Sequence, residues 1–298
     1  MRSIVLIGFC YEEVNNLTIT PLPGILIDLY QVYEYCKKIS WDKLIIITDV
    51  YKITNNTLLN HAILKGVVHL NVLLFLEEIK PFHQIYFDQA DMLDKIRNSI
   101  CNSDEILVYY TGHSKNNYLN LPISSSGISR IDGLKIDMTK IDKPISNTIL
   151  DTISVEDFKN LFLQKNPTSI LFIMDCCSGI GLGLPFQLID DMYRLTDFPT
   201  HKFHKTKIIC LSSAMHDESA IASHSGSVFT RVLFKHLPML SLSKLLLLLK
   251  KDCHFSQTST IHSNYPNCKH LFNWLLPNNN KLQIEIDEIS RLVKIRRK

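Results

Sequence analysis

Short runs of β-branched and other apolar residues punctuate the chain, and helical patterns fill the intervals between them. The runs are Ile4–Gly8, Leu44–Thr48, Glu105–Tyr110, Ser169–Met174 and Lys207–Leu211. Strands separated by helix-length intervals predict an α/β protein with a mostly parallel sheet, because parallel neighbours need a long crossover. Gly24 to Cys36 reads as the first helix, with Ile25, Leu29, Val32 and Cys36 on one face. Ala90 to Ile100 reads as another, with Met92, Ile96 and Ile100 one turn apart. Val155 to Leu163 follows Ser154, a suitable N-cap, and Val228–Leu237 and Leu242–Lys251 give helices late in the chain.

Composition narrows the class further. A chain of 298 residues with 46% hydrophobic and 20% charged residues can bury a large core. A formal net charge of +3 gives no strong basic field, so bulk charge offers no case for nucleic-acid binding. Eight scattered cysteines do not resemble a small disulfide scaffold, and free thiols are expected. Met1, Arg2 and Ser3 lead straight into an apolar run too short for a signal core, and no stretch approaches the roughly 20 apolar residues of a membrane span. Even Leu245–Leu249 is bracketed by Lys244, Lys250 and Lys251. A cytoplasmic protein is expected, with the sequons at Asn16 and Asn55 left unglycosylated.

Two stretches read as loop-rich, Ser114 to Leu150 and Gly179 to Thr206. After Pro277 comes a charged tail, 278–298, ending in Arg296-Arg297-Lys298; its charges are expected to be solvated.

Sites in parallel-sheet proteins gather at the carboxyl ends of strands. Two such ends carry conspicuous residues: Tyr109-Tyr110-Thr111-Gly112-His113-Ser114 and Asp175-Cys176-Cys177-Ser178-Gly179. An imidazole and a thiol on one sheet edge can perform acyl transfer, the thiolate attacking a carbonyl and the imidazole handling the leaving group's proton. Taken singly, such a histidine is usually a satisfied surface or core residue, and such a cysteine a small buried hydrophobe.

Together these segments resemble the His and Cys motifs of caspase-like cysteine peptidases, most nearly those of metacaspases and orthocaspases, Tyr-Ser-Gly-His-Gly and Asp-x-Cys-His-Ser-Gly. Caspases place the His about 50 residues before the Cys; here the separation is 177 − 113 = 64 residues. Other segments agree in order. Leu22-Pro23-Gly24-Ile25-Leu26-Ile27-Asp28 stands where metacaspases carry Leu-x-Gly-Cys-x-x-Asp, and Leu184-Pro185-Phe186 resembles their Leu-Pro-Tyr. Ser212 to Ala220, Gly226 to Thr230 and Gln257 to Pro266 are similar to later family segments, so the resemblance covers about residues 3–270.

The resemblance implies a caspase-like fold, a three-layer α/β/α sandwich around a mostly parallel sheet of about six strands. It implies a peptidase domain over 1–277, divided into a large-subunit-like segment (1–190), an interconnecting loop (190–206) and a small-subunit-like segment (207–277). Cys177 is the implied nucleophile and His113 the acid/base, with the backbone N–H groups of Ser114 and Cys177 as the oxyanion hole. Cys176, its neighbour, is expected to be an inert buried thiol, since successive strand residues face opposite sides. Asp28, Thr111 and Asp175 match the pocket that receives a basic P1 side chain, so cleavage after Arg or Lys is expected. The plainer alternatives are a solvated helix-start carboxylate for Asp28 and a strand-end turn former for Asp175. Arg194, Lys202 and Lys205 are candidate self-cleavage points.

Departures from the family pattern are specific. Ser114 replaces the usual Gly after the His, one residue is missing after Cys177, and Gly183 stands where metacaspases carry a calcium-binding Asp. The acidic stretch between the motifs is reduced to Asp132, Asp137 and Asp142. Calcium takes six to eight oxygen ligands, which this pattern does not supply, so no cofactor or metal is expected. Cys253, His254, His262, Cys268 and His270 lack zinc-site spacing. The expected partners are protein or peptide substrates of a monomeric enzyme, with no nucleic acid and no membrane. The alternative is a catalytically weak or inactive caspase-like protein that binds and regulates a peptidase or its substrates.

Overall fold

Strands buried on both faces have no polar side to show, which is why the five sequence runs are so uniformly apolar. In the computed structural model they form the centre of one sheet: β1 (Arg2–Gly8), β2 (Lys43–Thr48), β4 (Glu105–Thr111), β8 (Ser169–Asp175) and β11 (Lys207–Ser212). The structure describes residues 1–11, 22, 24–49, 75, 78, 83–84, 89–122, 151–177, 181–198, 205–215, 218–223, 225–237, 241–253, 257–266 and 268–277. Ser178, Gly179, Lys202, His216, Asp217, His254, the acidic residues 132, 137 and 142, both sequons and the tail 278–298 lie outside these residues.

With β3 (His83–Gln84), the five runs give six mutually parallel strands in the order β11-β8-β4-β1-β2-β3. Three antiparallel strands extend this core beyond β11: β14 (Thr260–Ser263), β9 (Phe186–Ile189) and β10 (Met192–Leu195). The sheet is therefore larger than the expected six strands, though its parallel portion has that number.

Helices α1 (Ile25–Cys36), α4 (Val228–His236) and α5 (Leu242–Asp252) cover one face, packing Leu29, Val32, Phe229 and Leu245 on Leu6, Leu107, Tyr109 and Ile173. Helices α2 (Gln89–Ser99) and α3 (Val155–Leu163) cover the other, packing Met92, Ile96, Phe158 and Phe162 on Val5, Val108, Tyr110 and Phe172. Phe162 meets Phe158 and Phe172 edge to face at 5.3 and 5.5 Å, Phe158 and Phe172 are tilted at 6.3 Å, and truncating such a ring to Ala typically costs about 3–5 kcal/mol. Ser154 caps α3 as expected, its Oγ accepting the Asp157 N–H at 3.0 Å.

The two loop-rich expectations need correction. Ser114 opens a hairpin of β5 (Ser114–Lys115) and β6 (Tyr118–Leu121), which pairs with β7 (Asp151–Ser154). Its turn residues Asn116 and Asn117 both have positive φ, 49° and 68°, a conformation asparagine tolerates well and a two-residue hairpin requires. The stretch expected as an interconnecting loop begins in the β9–β10 hairpin, turning at Asp190 with φ of 54°. Arg194 is thus paired with Gln187 inside a hairpin, not carried on a free loop. Lys205 is exposed just before β11.

Candidate active site

Chain order within the sheet reverses between β1 and β4: successive strands run outward from β1 through β2 and β3 on one side, and through β4, β8 and β11 on the other. A crevice opens outside the carboxyl ends at such a switch point. The His and Cys motifs leave the sheet beside it.

Strands β4 and β8 are parallel neighbours in register, Thr111 opposite Asp175, so the residues that follow emerge side by side. The Gly112 N–H donates to the Asp175 carbonyl at 3.4 Å. One step further, the Ser114 hydroxyl donates to the Cys177 carbonyl. These bonds tie the two loops together and bring His113 and Cys177 to one edge, both half-buried. Among the described residues no acceptor is bonded to the Cys177 N–H. An imidazole and a thiol so placed have the chemistry for acyl transfer.

Strand alternation sorts the remaining groups between the two faces. Cys176 turns into the α2/α3 face, 3% exposed, where burial pushes its thiol up to about 12. Cys210 lies on the same face and is likewise pushed up to about 12 by burial. On that face His262, paired with Cys210, is held down to about 4 by burial and has an unpartnered Nδ1.

Thr111 and Asp175 turn to the α1/α4 face, where Asp28 of α1 meets them; the three are 1%, 4% and 0% exposed. The solvated-carboxylate alternative for Asp28 therefore does not hold. Its Oδ1 accepts the Ser227 N–H at 2.8 Å, while its Oδ2 is buried without a partner. Burial first, and the nearby Asp175 second, push the Asp28 carboxyl well above the ordinary carboxylate range, against a weaker pull from Arg231. Asp175 is also raised by burial, opposed by hydroxyl hydrogen bonds. Because the Thr230 hydroxyl donates to Asp175 at 2.5 Å, the Tyr109 hydroxyl, 2.7 Å from Thr230, donates to Thr230.

The hairpin of β12 (Ala222–Ser223) and β13 (Gly226–Ser227) covers these carboxyls. Gly226 has φ of 93°, and a Cβ there would sit 2.5 Å from Asp28 Oδ1, so only glycine lets the hairpin lie so close. The sequence pairs Asp28, Thr111 and Asp175 by motif alone; it gives no sign of this cover.

Sequence reasoning also misses Tyr11. It follows β1 across the switch point, with its ring centroid 4.7 Å from that of His113. Nothing in local pattern marks such a contact, since 102 residues separate the partners and topology alone joins them.

Among the described residues no three His, Cys, Asp or Glu side chains cluster as metal ligands, and no helix is long and apolar enough to cross a membrane.

Comparison with known proteins fits this architecture. The sequence has no match among curated proteins. Among solved structures, protein GSU0716 from Geobacter sulfurreducens superposes with a TM-score of 0.50 at 11% identity, over 92% of this chain and 98% of its own. Caspase-1 from Spodoptera frugiperda superposes with a TM-score of 0.47 at 10% identity, over 88% of this chain and 84% of its own. The caspase domain model of the C14 peptidases matches residues 62–271, a span that includes both motifs but begins after β1, α1 and β2. The chain belongs to the caspase-domain family of C14 cysteine peptidases.

Proposed function

We propose that the protein is a metacaspase-like endopeptidase that cleaves after Arg or Lys, with Cys177 as nucleophile and His113 as acid/base. The observation carrying this reading is the register of β4 and β8, which delivers both residues to one edge and leaves Cys176 buried on the other side of the strand. The Cys177 thiolate attacks the scissile carbonyl carbon, and the backbone N–H groups of Ser114 and Cys177 receive the oxyanion. The C–N bond then breaks as His113 donates its proton to the leaving amine, giving a Cys177 thioester. Water, losing a proton to His113, attacks the thioester and releases the acid product and the thiol.

Asp28, Thr111 and Asp175 form the P1 pocket in this reading. Two buried carboxyls, with no cation bonded to them among the described residues, suit a guanidinium or ammonium, which offsets the burial that raises both. Access requires the β12–β13 hairpin to lift from Asp28. No metal takes part, so activity is unchanged by chelator and by calcium. Among the self-cleavage candidates, Arg194 and Lys205 are both exposed, Arg194 within the edge strand β10 and Lys205 just before β11.

A second reading, a caspase-like protein without turnover that binds a peptidase or its substrates, draws on the closed carboxyl pair and on the Ser114 tie to Cys177. Hydrolysis of fluorogenic Arg-P1 and Asp-P1 peptides, with Cys177→Ala as control, separates the two. Turnover of the Arg peptide that Cys177→Ala abolishes is expected. No turnover of either peptide, with or without calcium, establishes the second reading.

A further inference from the structure

We propose that Tyr11 is a positioning residue for His113, holding the main chain and ring of the imidazole across the switch point. The inference rests on the catalytic reading of His113 above. Tyr11 Oη accepts the His113 N–H at 2.9 Å and donates to the Asn120 carbonyl at 2.8 Å. The adjacent Tyr110 hydroxyl donates to the His113 carbonyl at 2.9 Å and lies 3.2 Å from the Asn120 carbonyl. The Asn120 N–H donates to the same His113 carbonyl at 3.0 Å. Both polar groups of the His113 main chain are thus fixed by fully buried phenols, and the Tyr11 ring lies beside the imidazole. Burial pushes both phenols up, so each keeps the proton that it donates.

Tyr11 is itself fixed. Its φ is 58°, and the Asp49 carboxylate accepts the N–H groups of Cys10 and Tyr11, each at 2.7 Å. That clamp binds the end of β1 to the end of β2 and holds the strained turn. The arrangement also accounts for Gly112: a Cβ there would lie 2.7 Å from Tyr11 Oη and 3.1 Å from Tyr110 Oη, inside the space the two hydroxyls occupy. A buried phenol that only filled space would not need its hydroxyl here, whereas this hydroxyl joins the His113 N–H to the Asn120 carbonyl.

The test is the rate of Cys177 alkylation by iodoacetamide against pH, read by peptide mapping in wild type, His113→Ala and Tyr11→Phe. Loss of the Tyr11 hydroxyl loosens the imidazole, so the Tyr11→Phe profile moves toward that of His113→Ala while thermal melting stays cooperative. Where a peptide is turned over, kcat falls about 10-fold to 100-fold with KM within about twofold, the signature of lost geometry. A Tyr11→Phe profile superimposed on wild type overturns the proposal. A His113→Ala profile superimposed on wild type instead rejects the pairing of His113 with Cys177, whatever Tyr11→Phe does. Should Tyr11→Phe fail to fold, Asp49→Asn, which loosens the clamp on Tyr11, is expected to shift the profile in the same direction. An unchanged Asp49→Asn profile then counts against the proposal.

Discussion

The two faces of the sheet treat ionisable groups differently where β4 and β8 end. On the α2/α3 face, Cys176, Cys210, His262, Tyr11 and Tyr110 are all held neutral near pH 7, and both tyrosines are hydrogen-bonded. On the α1/α4 face, burial raises the proton affinity of two carboxyls, Asp175 raises that of Asp28 further, and Asp28 keeps a buried oxygen without a partner. Thr111 and Asp175 lie on one side, Tyr110 and Cys176 on the other, only because neighbouring strand residues alternate. The neutral face has the character of a support for the loop that carries His113. The carboxyl face, in the reading proposed above, is where a cation is received; a purely structural surface would use apolar residues there.

The largest expected effect tests that role. Asp175→Asn and Asp28→Asn each remove one carboxylate from the proposed P1 pocket. Each is expected to lower kcat/KM for an Arg-P1 peptide about 100-fold, the scale of losing a partner from a buried charge pair. No compensating gain on an Asp-P1 peptide is expected. Equal activity of these variants and wild type would reduce the carboxyl face to a structural feature.

Of similar size is a pH effect on the neutral face. His262 binds its proton more weakly in the folded protein, at about 4 against 6.5, so unfolded chains take up more protons between those values. Stability therefore rises with pH across that window and falls as pH drops from 6.5 through 4. The shift corresponds to about 3 kcal/mol at full development. His262→Leu should flatten the slope of unfolding free energy between pH 4 and 6.5 relative to wild type, measured by urea titration. An unchanged slope would show that His262 is not buried as described.

A smaller effect has the opposite sign from most substitutions. Asp28→Asn retains an oxygen for the Ser227 N–H while relieving the crowding with Asp175. Its stability at pH 7 is expected to rise by about 0.5–2 kcal/mol in chemical denaturation, the usual exchange of function for stability at a site. A destabilised Asp28→Asn would indicate that the pair is already neutralised within the fold. Smallest of all is Cys176→Ala, expected to cost about 1 kcal/mol or less and to retain the rate of wild type. Loss of activity in that variant with stability intact would break the distinction between the two adjacent thiols.

Which regions are legible in the sequence follows from the same contrast. The parallel strands announce themselves, because burial on both faces leaves continuous apolar runs. Short antiparallel strands do not: Thr260-Ile261-His262-Ser263 carries one large apolar residue and takes its place through pairing with β11. The β5–β6 hairpin depends on left-handed Asn116 and Asn117, a turn signal hidden in a polar stretch. His113, Cys177, Asp28 and Asp175 are visible as motifs at strand ends and a helix start. Tyr11 is not, since its relation to His113 exists only once β1 and β4 lie side by side. The β12–β13 cover is equally hidden, as it depends on a 199-residue separation between Asp28 and Ser227.

The central claim, that Cys177 and not its neighbour is the nucleophile of a site for basic P1 residues, is tested most directly by covalent trapping. Incubation with a peptidyl-arginine chloromethyl ketone, followed by intact mass and peptide mapping, should give one adduct on Cys177. The Cys177→Ala variant should give none, and Asp175→Asn a much slower one. An adduct on Cys176, or labelling that Cys177→Ala does not abolish, would contradict the account.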